Sequence, residues 1–146
     1  MHNKNKTINE IRQFNRFYLV NMNFLSSNYW GSEYSIAETR ILYEIMTQGI
    51  CIQSDIVKAL HIDKSYLSRI INLLCKKGLV EKRGAKHDKR AVEIMLTDKG
   101  KAESEKLVAL TNRRIQAQIA GLSMDDCDKL CDALCAVRAI LEKENA

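Results

Sequence analysis

The chain has no proline and only six glycines in 146 residues. Without proline no kink, cis bond or rigid linker is written into the sequence, so no hinge between domains is marked. Apolar runs are short, none approaching the ~20 residues that a membrane span needs. The first twenty residues hold no signal-type apolar segment, which sets the expectation of a cytoplasmic protein without a membrane partner. Catalytic signatures are missing as well: no nucleophile-base motif, Walker loop, dinucleotide fingerprint or paired-carboxylate pattern occurs. The expectation is therefore a non-enzyme with no cofactor and no metal. Cysteine is not scarce, but five is an odd number, which fits a reducing compartment better than a disulfide framework. At this length the chain is expected to form one domain, residues 1–146, burying about 68–70% of its unfolded surface. Neither an internal repeat nor a low-complexity tract is present.

What is present is an uneven charge. Between Lys58 and Arg90 stand ten Lys or Arg against three acids, a net of +7, whereas from Ser123 to Ala146 three basic residues face six acidic ones, a net of −3. Positive charge concentrated on one segment is the electrostatic footprint of a nucleic-acid binder. The basic segment is patterned, too. Gln53 to Leu60 reads as a short helix, His61-Ile62-Asp63 as a tight turn, Lys64 to Lys77 as a second helix and Gly78 as its stop. Asp63 stands where an N-cap is wanted, and Gly78 where a left-handed residue ends a helix without a Cβ penalty. Leu67, Ile70, Ile71 and Leu74 recur at i, i+3, i+4 and i+7, the stripe that a helix buries. The opposite face carries Lys64, Ser65, Tyr66, Ser68, Arg69, Asn72 and Lys76. Those side chains offer the hydroxyl, amide and cationic groups that read base edges and hold phosphates.

Residues 79–83 and 91–96 read as paired strands; in the second, Val92, Ile94 and Leu96 alternate with Ala91, Glu93 and Met95. Their connecting tip, residues 84–90, carries Lys86, Lys89 and Arg90 and no large apolar residue. Such a tip suits a polyanion, and the narrow minor groove favours an inserted Arg. Read alone, the tip also fits a solvated hairpin with ordinary surface lysines, the less favoured of the two readings. Two helices, a turn and a basic hairpin together describe a winged helix-turn-helix over residues 35–97.

From Ser35 to Gly100 the sequence resembles the MarR family of bacterial winged-helix regulators. The matching stretches are Leu60 to Arg69, Leu73 to Val80, Asp88-Lys89-Arg90 and Leu96-Thr97-Asp98-Lys99-Gly100. The Asp-x-Arg wing followed by Leu-Thr-x-x-Gly is the most specific part, and the flanking helices match in length and position. The resemblance implies a homodimer on double-stranded DNA at a palindromic operator, with each recognition helix in a major groove. It also makes Arg90 the minor-groove residue, held in place by Asp88 through a charge-assisted hydrogen bond. One departure is Ile52, which stands where the family often has a Thr or Ser capping the first helix of the pair. Family members often respond to small aromatic or anionic ligands between the dimer layer and the winged module. Tyr29, Trp30, Tyr34 and Arg40 fall near that place; read structurally, the aromatics simply seal a loop onto the core.

Around the module the chain reads as helix. Thr7-Ile8-Asn9-Glu10 matches a capping box, opening an amphipathic helix through Ile8, Ile11, Phe14, Tyr18, Met22 and Leu25, ending near Asn28. Ser35-Ile36-Ala37-Glu38 is a second capping box, for a helix ending at Gly49, and Ile50-Cys51-Ile52 suits a third small strand beside the wing. Thr97 or Asp98 begins a long helix to about Ala120, broken at Gly121, and Ser123 starts the last one. The terminal segments, residues 7–30 and 98–146, carry apolar stripes with no evident partner in the module. They are expected to form a helical dimerisation layer. The fold class is thus mainly α with a small β-hairpin, a winged helix-turn-helix plus that layer.

Cys127, Cys131 and Cys135 lie one helical turn apart. They read either as a soft-metal or oxidant-sensing stripe or as small hydrophobes of a dimer core, and packing is the favoured reading. Side chains on adjacent turns stand roughly 6 Å apart, too far for a disulfide within the helix, and no nearby histidine completes a zinc set. Cys51 and Cys75 read as core, and His61 and His87 as surface or phosphate-contacting groups. The leading expectation is a homodimeric, sequence-specific transcriptional regulator, a repressor modulated by a small ligand. The alternatives are a thiol- or metal-responsive regulator working through Cys127, Cys131 and Cys135, and a winged helix that binds protein instead of DNA.

Overall fold

A computed structural model describes residues 3–21, 28–84 and 92–143. Six α-helices and three short strands follow in the order α1 (Lys4–Asn21), a 3-10 turn (Tyr29–Gly31), α2 (Ile36–Gln48), β1 (Cys51–Ile52), α3 (Gln53–Leu60), α4 (Lys64–Lys76), β2 (Val80–Gly84), β3 (Val92–Leu96), α5 (Asp98–Ile119) and α6 (Met124–Glu142). The sheet is antiparallel with order β1-β3-β2. The chain divides into two compact units, Met1–Val108 and Ala109–Ala146.

Most helix ends lie where their capping residues put them. At α2 the second capping box is complete: Ser35 Oγ accepts from the Glu38 N–H at 3.1 Å, and Glu38 Oε1 accepts from the Ser35 N–H at 3.3 Å. Gly49 ends that helix at φ 76. α3 starts at Gln53 although Ile52 has no hydroxyl, because Asp55 Oδ2 accepts from the Ile52 N–H at 3.0 Å and satisfies one helix-start donor from within the first turn. The first helix differs from expectation. It begins at Lys4, so Thr7 and Glu10 lie inside it; Asn3 does the capping, its carbonyl accepting from Lys6 and its Oδ1 from Asn5.

The core of the first unit is built on α2, α3, α4, the sheet and the start of α5. Ile41, Leu42, Ile45, Ile56, Leu67, Ile71, Leu74, Leu79 and Ile94 are wholly buried. In the sheet Val80 pairs with Leu96 and Lys82 with Ile94. Directly paired residues share a face, so the Val80, Ile94 and Leu96 side turns inward while Glu81, Arg83 and Met95 face outward.

The passage from the hairpin into α5 is fixed by a tight backbone junction. The Thr97 N–H donates to the Leu79 carbonyl at 3.0 Å, and Thr97 Oγ1 donates to the Gly78 carbonyl at 2.6 Å while accepting from the Gly100 N–H at 3.0 Å. Gly100 packs so closely that a Cβ there would fall on the Leu79 carbonyl. α1 and α6, by contrast, bury none of their described residues. Ile8, Ile11, Phe14, Phe17 and Val20 on the first and Leu134, Val137, Ile140 and Leu141 on the last are all about half or more exposed.

Gly100→Ala is expected to destabilise the protein by about 1–3 kcal/mol, the usual range for overpacking, or more because the obstacle is backbone. Gly121→Ala, where an added Cβ meets nothing, should stay within about 0.5 kcal/mol. Urea denaturation of both variants checks the contrast.

Candidate nucleic-acid interface

α4 is held at both ends and along one side, which leaves its other side to present polar groups in fixed places. Asp63 Oδ2 accepts from the Tyr66 N–H at 2.9 Å, and Leu67, Ile70, Ile71 and Leu74 are buried as the spacing predicts. His61 makes the turn between α3 and α4 at φ 51, its N–H donating to the Val57 carbonyl. Beyond Lys77, Gly78 takes the left-handed conformation at φ 75.

On the outer face Lys64, Ser65, Tyr66, Arg69, Asn72 and Lys76 are exposed. The Arg69 guanidinium lies over the Tyr66 ring, 5.8 Å from its centroid, which limits its sweep. Ser68 is half-buried, and its Oγ donates to Gln53 Oε1 at 2.9 Å, tying α4 to the start of α3. Asn72 is engaged too: its Oδ1 accepts from Lys82 Nζ at 2.6 Å. Lys82 is absent from the residues singled out by sequence reasoning. Strand parity with Val80 was the signal that could have found it, since that parity turns Lys82 toward α4. Lys86, Asp88, Lys89 and Arg90 lie outside the described residues.

The aromatic group assigned to a ligand is largely core. Tyr29 and Tyr34 are buried, Trp30 is half-buried with a left-handed backbone at φ 50, and Arg40 is exposed. The Tyr34 hydroxyl donates to Glu103 Oε2 at 3.1 Å. Burial, then that bond and the Glu103 charge, raise its pKa well above the usual tyrosine range, so it stays protonated. Lys77 Nζ lies 5.3 Å from the Tyr34 ring centroid and donates to Glu38 Oε2 at 2.8 Å. Burial alone would raise the Glu38 carboxyl, but the bonds from Lys77 and the Ser35 backbone outweigh it and leave the carboxyl below its ordinary value.

A separate cleft of about 730 Å³ lies on the outer side of the hairpin base, lined by Met46, Ile50, Glu81, Arg83, Met95 and Lys101 among others. The four residues proposed from sequence for ligand binding are not part of its wall. Among the cysteines, Cys51 is buried, and burial followed by the carboxylates of Asp55 and Glu44 pushes its thiol up. Cys131 and Cys135 are exposed, Cys127 is intermediate, and Arg138 Nη2 lies 3.9 Å from Cys135 Sγ. Among the described residues no cluster of three or more His, Cys, Asp or Glu is arranged to hold a metal ion, and no helix is long and apolar enough to cross a membrane.

Two helices joined by a left-handed turn, with a three-stranded sheet folded behind the second, define a winged helix-turn-helix. A family profile described as "MarR family" matches residues 34–91. The uncharacterized HTH-type transcriptional regulator YdgJ of Bacillus subtilis is 30% identical over 86 residues, which is 59% of this chain and 52% of that protein. The chain thus matches about half the length of this curated relative. Among solved structures, a mutant MarR from E. coli complexed with operator DNA superposes with a TM-score of 0.74 at 25% identity, over 91% of this chain and 96% of that one. Bordetella bronchiseptica BpsR, whose DNA binding is regulated by 6-hydroxynicotinic acid, shares the fold at a TM-score of 0.70 and 24% identity, over 87% and 96% of the two chains. Residues 34–91 are thus similar to the MarR family, and the fold matches that of MarR-type winged-helix structures.

The Glu38–Lys77 pair generates a pH-dependent expectation. A carboxyl whose folded pKa is depressed contributes stability that is present above its unfolded pKa and is lost as pH falls through the folded value. Lys77→Met should destabilise by about 1–3 kcal/mol at neutral pH, leaving a buried carboxylate without its cation. That deficit should shrink as pH falls through the lowered folded value of Glu38, since a protonated carboxyl no longer needs the missing cation. Chemical denaturation at a series of pH values measures both.

Proposed function

We propose that the protein is a homodimeric, sequence-specific DNA-binding transcriptional regulator of the cytoplasm that represses its target and is modulated by a small ligand. The observation that carries this reading is the exposed, donor-bearing face of α4, fixed by caps and core, next to a hairpin that leads into a basic tip. Lys64, Ser65, Tyr66, Arg69 and Asn72 contact bases and phosphates of the major groove, with Ser68 holding α4 against α3 and contributing from its edge. Lys86, Lys89 and Arg90 take the minor groove and backbone, with Asp88 supporting Arg90.

Homodimerisation accounts for the exposed apolar stripes of α1 and α6, which in one chain face water. A two-fold axis would set two α4 helices about 34 Å apart, one turn of duplex, on a palindromic operator. For the ligand, Tyr29, Trp30, Tyr34 and Arg40 form the proposed site for a small aromatic or anionic molecule. Tyr34 is the contact by which occupancy reaches Lys77 at the end of α4, and coupling of this kind is typically worth about 1–3 kcal/mol.

Binding of operator DNA selected by the purified protein tests the assignment, with sedimentation reporting the dimer. Arg69→Ala should weaken operator binding by about 1–3 kcal/mol and relax preference at one position. Arg90→Ala should weaken binding to all sequences and make the salt dependence shallower, by about 0.9 in the slope for each phosphate that is no longer neutralised. A monomer indifferent to duplex DNA at low salt would overturn the function.

A second reading, regulation through the thiols of Cys127, Cys131 and Cys135, is favoured by the exposure of Cys131 and Cys135, which leaves both open to an oxidant. Mass analysis after mild peroxide should then show Cys131 and Cys135 modified; unmodified thiols remove this reading.

A further inference from the structure

The hydrogen bond between Lys82 and Asn72 has a consequence for which base the recognition helix can read. An ammonium has only donors, so the atom of Asn72 it meets must be the amide oxygen, and at 2.6 Å the bond is short and charge-assisted. Lys82 is directed there by the sheet. Its register partner is the wholly buried Ile94 and its strand neighbour on the same face is the buried Val80. Its stem therefore runs along the edge of the core, while its head emerges beside α4. Glu81 and Arg83, which flank it in sequence, pair with each other on the outer face at 3.1 Å and leave Lys82 to Asn72.

An asparagine reads adenine by a matched pair of bonds, its oxygen accepting from the N6 amino group and its NH2 donating to N7. In Asn72 the oxygen is already occupied, and its remaining lone pair sits beside a positive charge that repels the hydrogens of an adenine N6 amino group. What Asn72 and Lys82 together present outward is an amide NH2 and an ammonium, donors only. Guanine offers two acceptors, N7 and O6, on its major-groove edge.

We propose that Lys82 is a specificity-determining residue: by holding the Asn72 amide oxygen, it makes that position of the recognition helix select guanine and reject adenine. The inference rests on the DNA-binding reading above and deepens it, assigning a base preference to a residue that acts on the base through a neighbour's orientation.

In vitro selection of duplexes by the full-length protein, with gel-shift titration at fixed salt, provides the test on four proteins: the wild type, Lys82→Met, Lys82→Arg and Asn72→Ala. The wild type should enrich guanine at one position of each half-site, and Asn72→Ala should lose that preference, which maps the position. Lys82→Met keeps the stem, frees the oxygen and should raise the adenine-to-guanine ratio at that same position by roughly fivefold or more, the scale of one bidentate pairing. Lys82→Arg keeps a donor and should behave as wild type, which separates the effect from damage to the fold. Unchanged base preference in Lys82→Met, or a change at a position that Asn72→Ala does not affect, overturns the inference while leaving DNA binding intact. Failure of the wild type to enrich or shift any duplex overturns the DNA-binding reading and this inference with it.

Discussion

The structure depends on the carbonyl of Leu79. That oxygen accepts from Thr97, and the backbone of Gly100 packs directly against it. Around it Thr97 Oγ1 and Lys99 Nζ close on the carbonyls of Gly78 and Lys77. The end of α4, the entry to β2 and the start of α5 are thereby joined at backbone carbonyls, with Thr97 and Lys99 adding side-chain donors. The Leu-Thr-x-x-Gly pattern of residues 96–100 has a physical explanation here: Leu96 is core, Thr97 both donates and accepts, and Gly100 is the residue whose missing Cβ lets the helix approach. A hairpin anchored this way keeps Lys82 in reach of Asn72, so the chemistry of the outer face rests on a junction made of backbone.

A second linkage runs through side chains. Glu38 at the start of α2 bonds Lys77 after α4, Lys77 lies over the ring of Tyr34 in the loop, and Tyr34 bonds Glu103 on α5, all in a partly buried setting. Burial raises the Tyr34 hydroxyl, while the bonds to Glu38 overcome the same burial and lower its carboxyl. The two groups thus hold fixed and opposite protonation states around neutral pH. Such a network is sensitive to loss of one member, because the others are then left desolvated and incompletely paired.

Much of this was legible in the sequence because local rules and tertiary packing agree. The stripe of Leu67, Ile70, Ile71 and Leu74, the cap at Asp63, the stop at Gly78 and the parity of Ile94 and Leu96 each follow from spacing, and the structure places each accordingly. Three features were not legible, for distinct reasons. Asn3 competes with Thr7 as a helix start, and a short polar run gives no periodicity to decide between them. Asp55 replaces a missing hydroxyl at Ile52, a substitution made one turn further along the chain. Ser68 and Asn72 read as open polar groups when taken singly, but their partners, Gln53 and Lys82, are 15 and 10 residues away in sequence and meet them only through the packing of α3 and β2.

The terminal helices carry one more implication. α1 is 18 residues long and buries none of them, although most helical stability in proteins comes from packing an amphipathic face. Its own aromatic contacts include Phe14 with Tyr18 at 5.6 Å and Phe14 with Phe17 at 6.5 Å. The helicity of this segment therefore depends on what covers its apolar stripe, whereas the winged module carries an interior of its own.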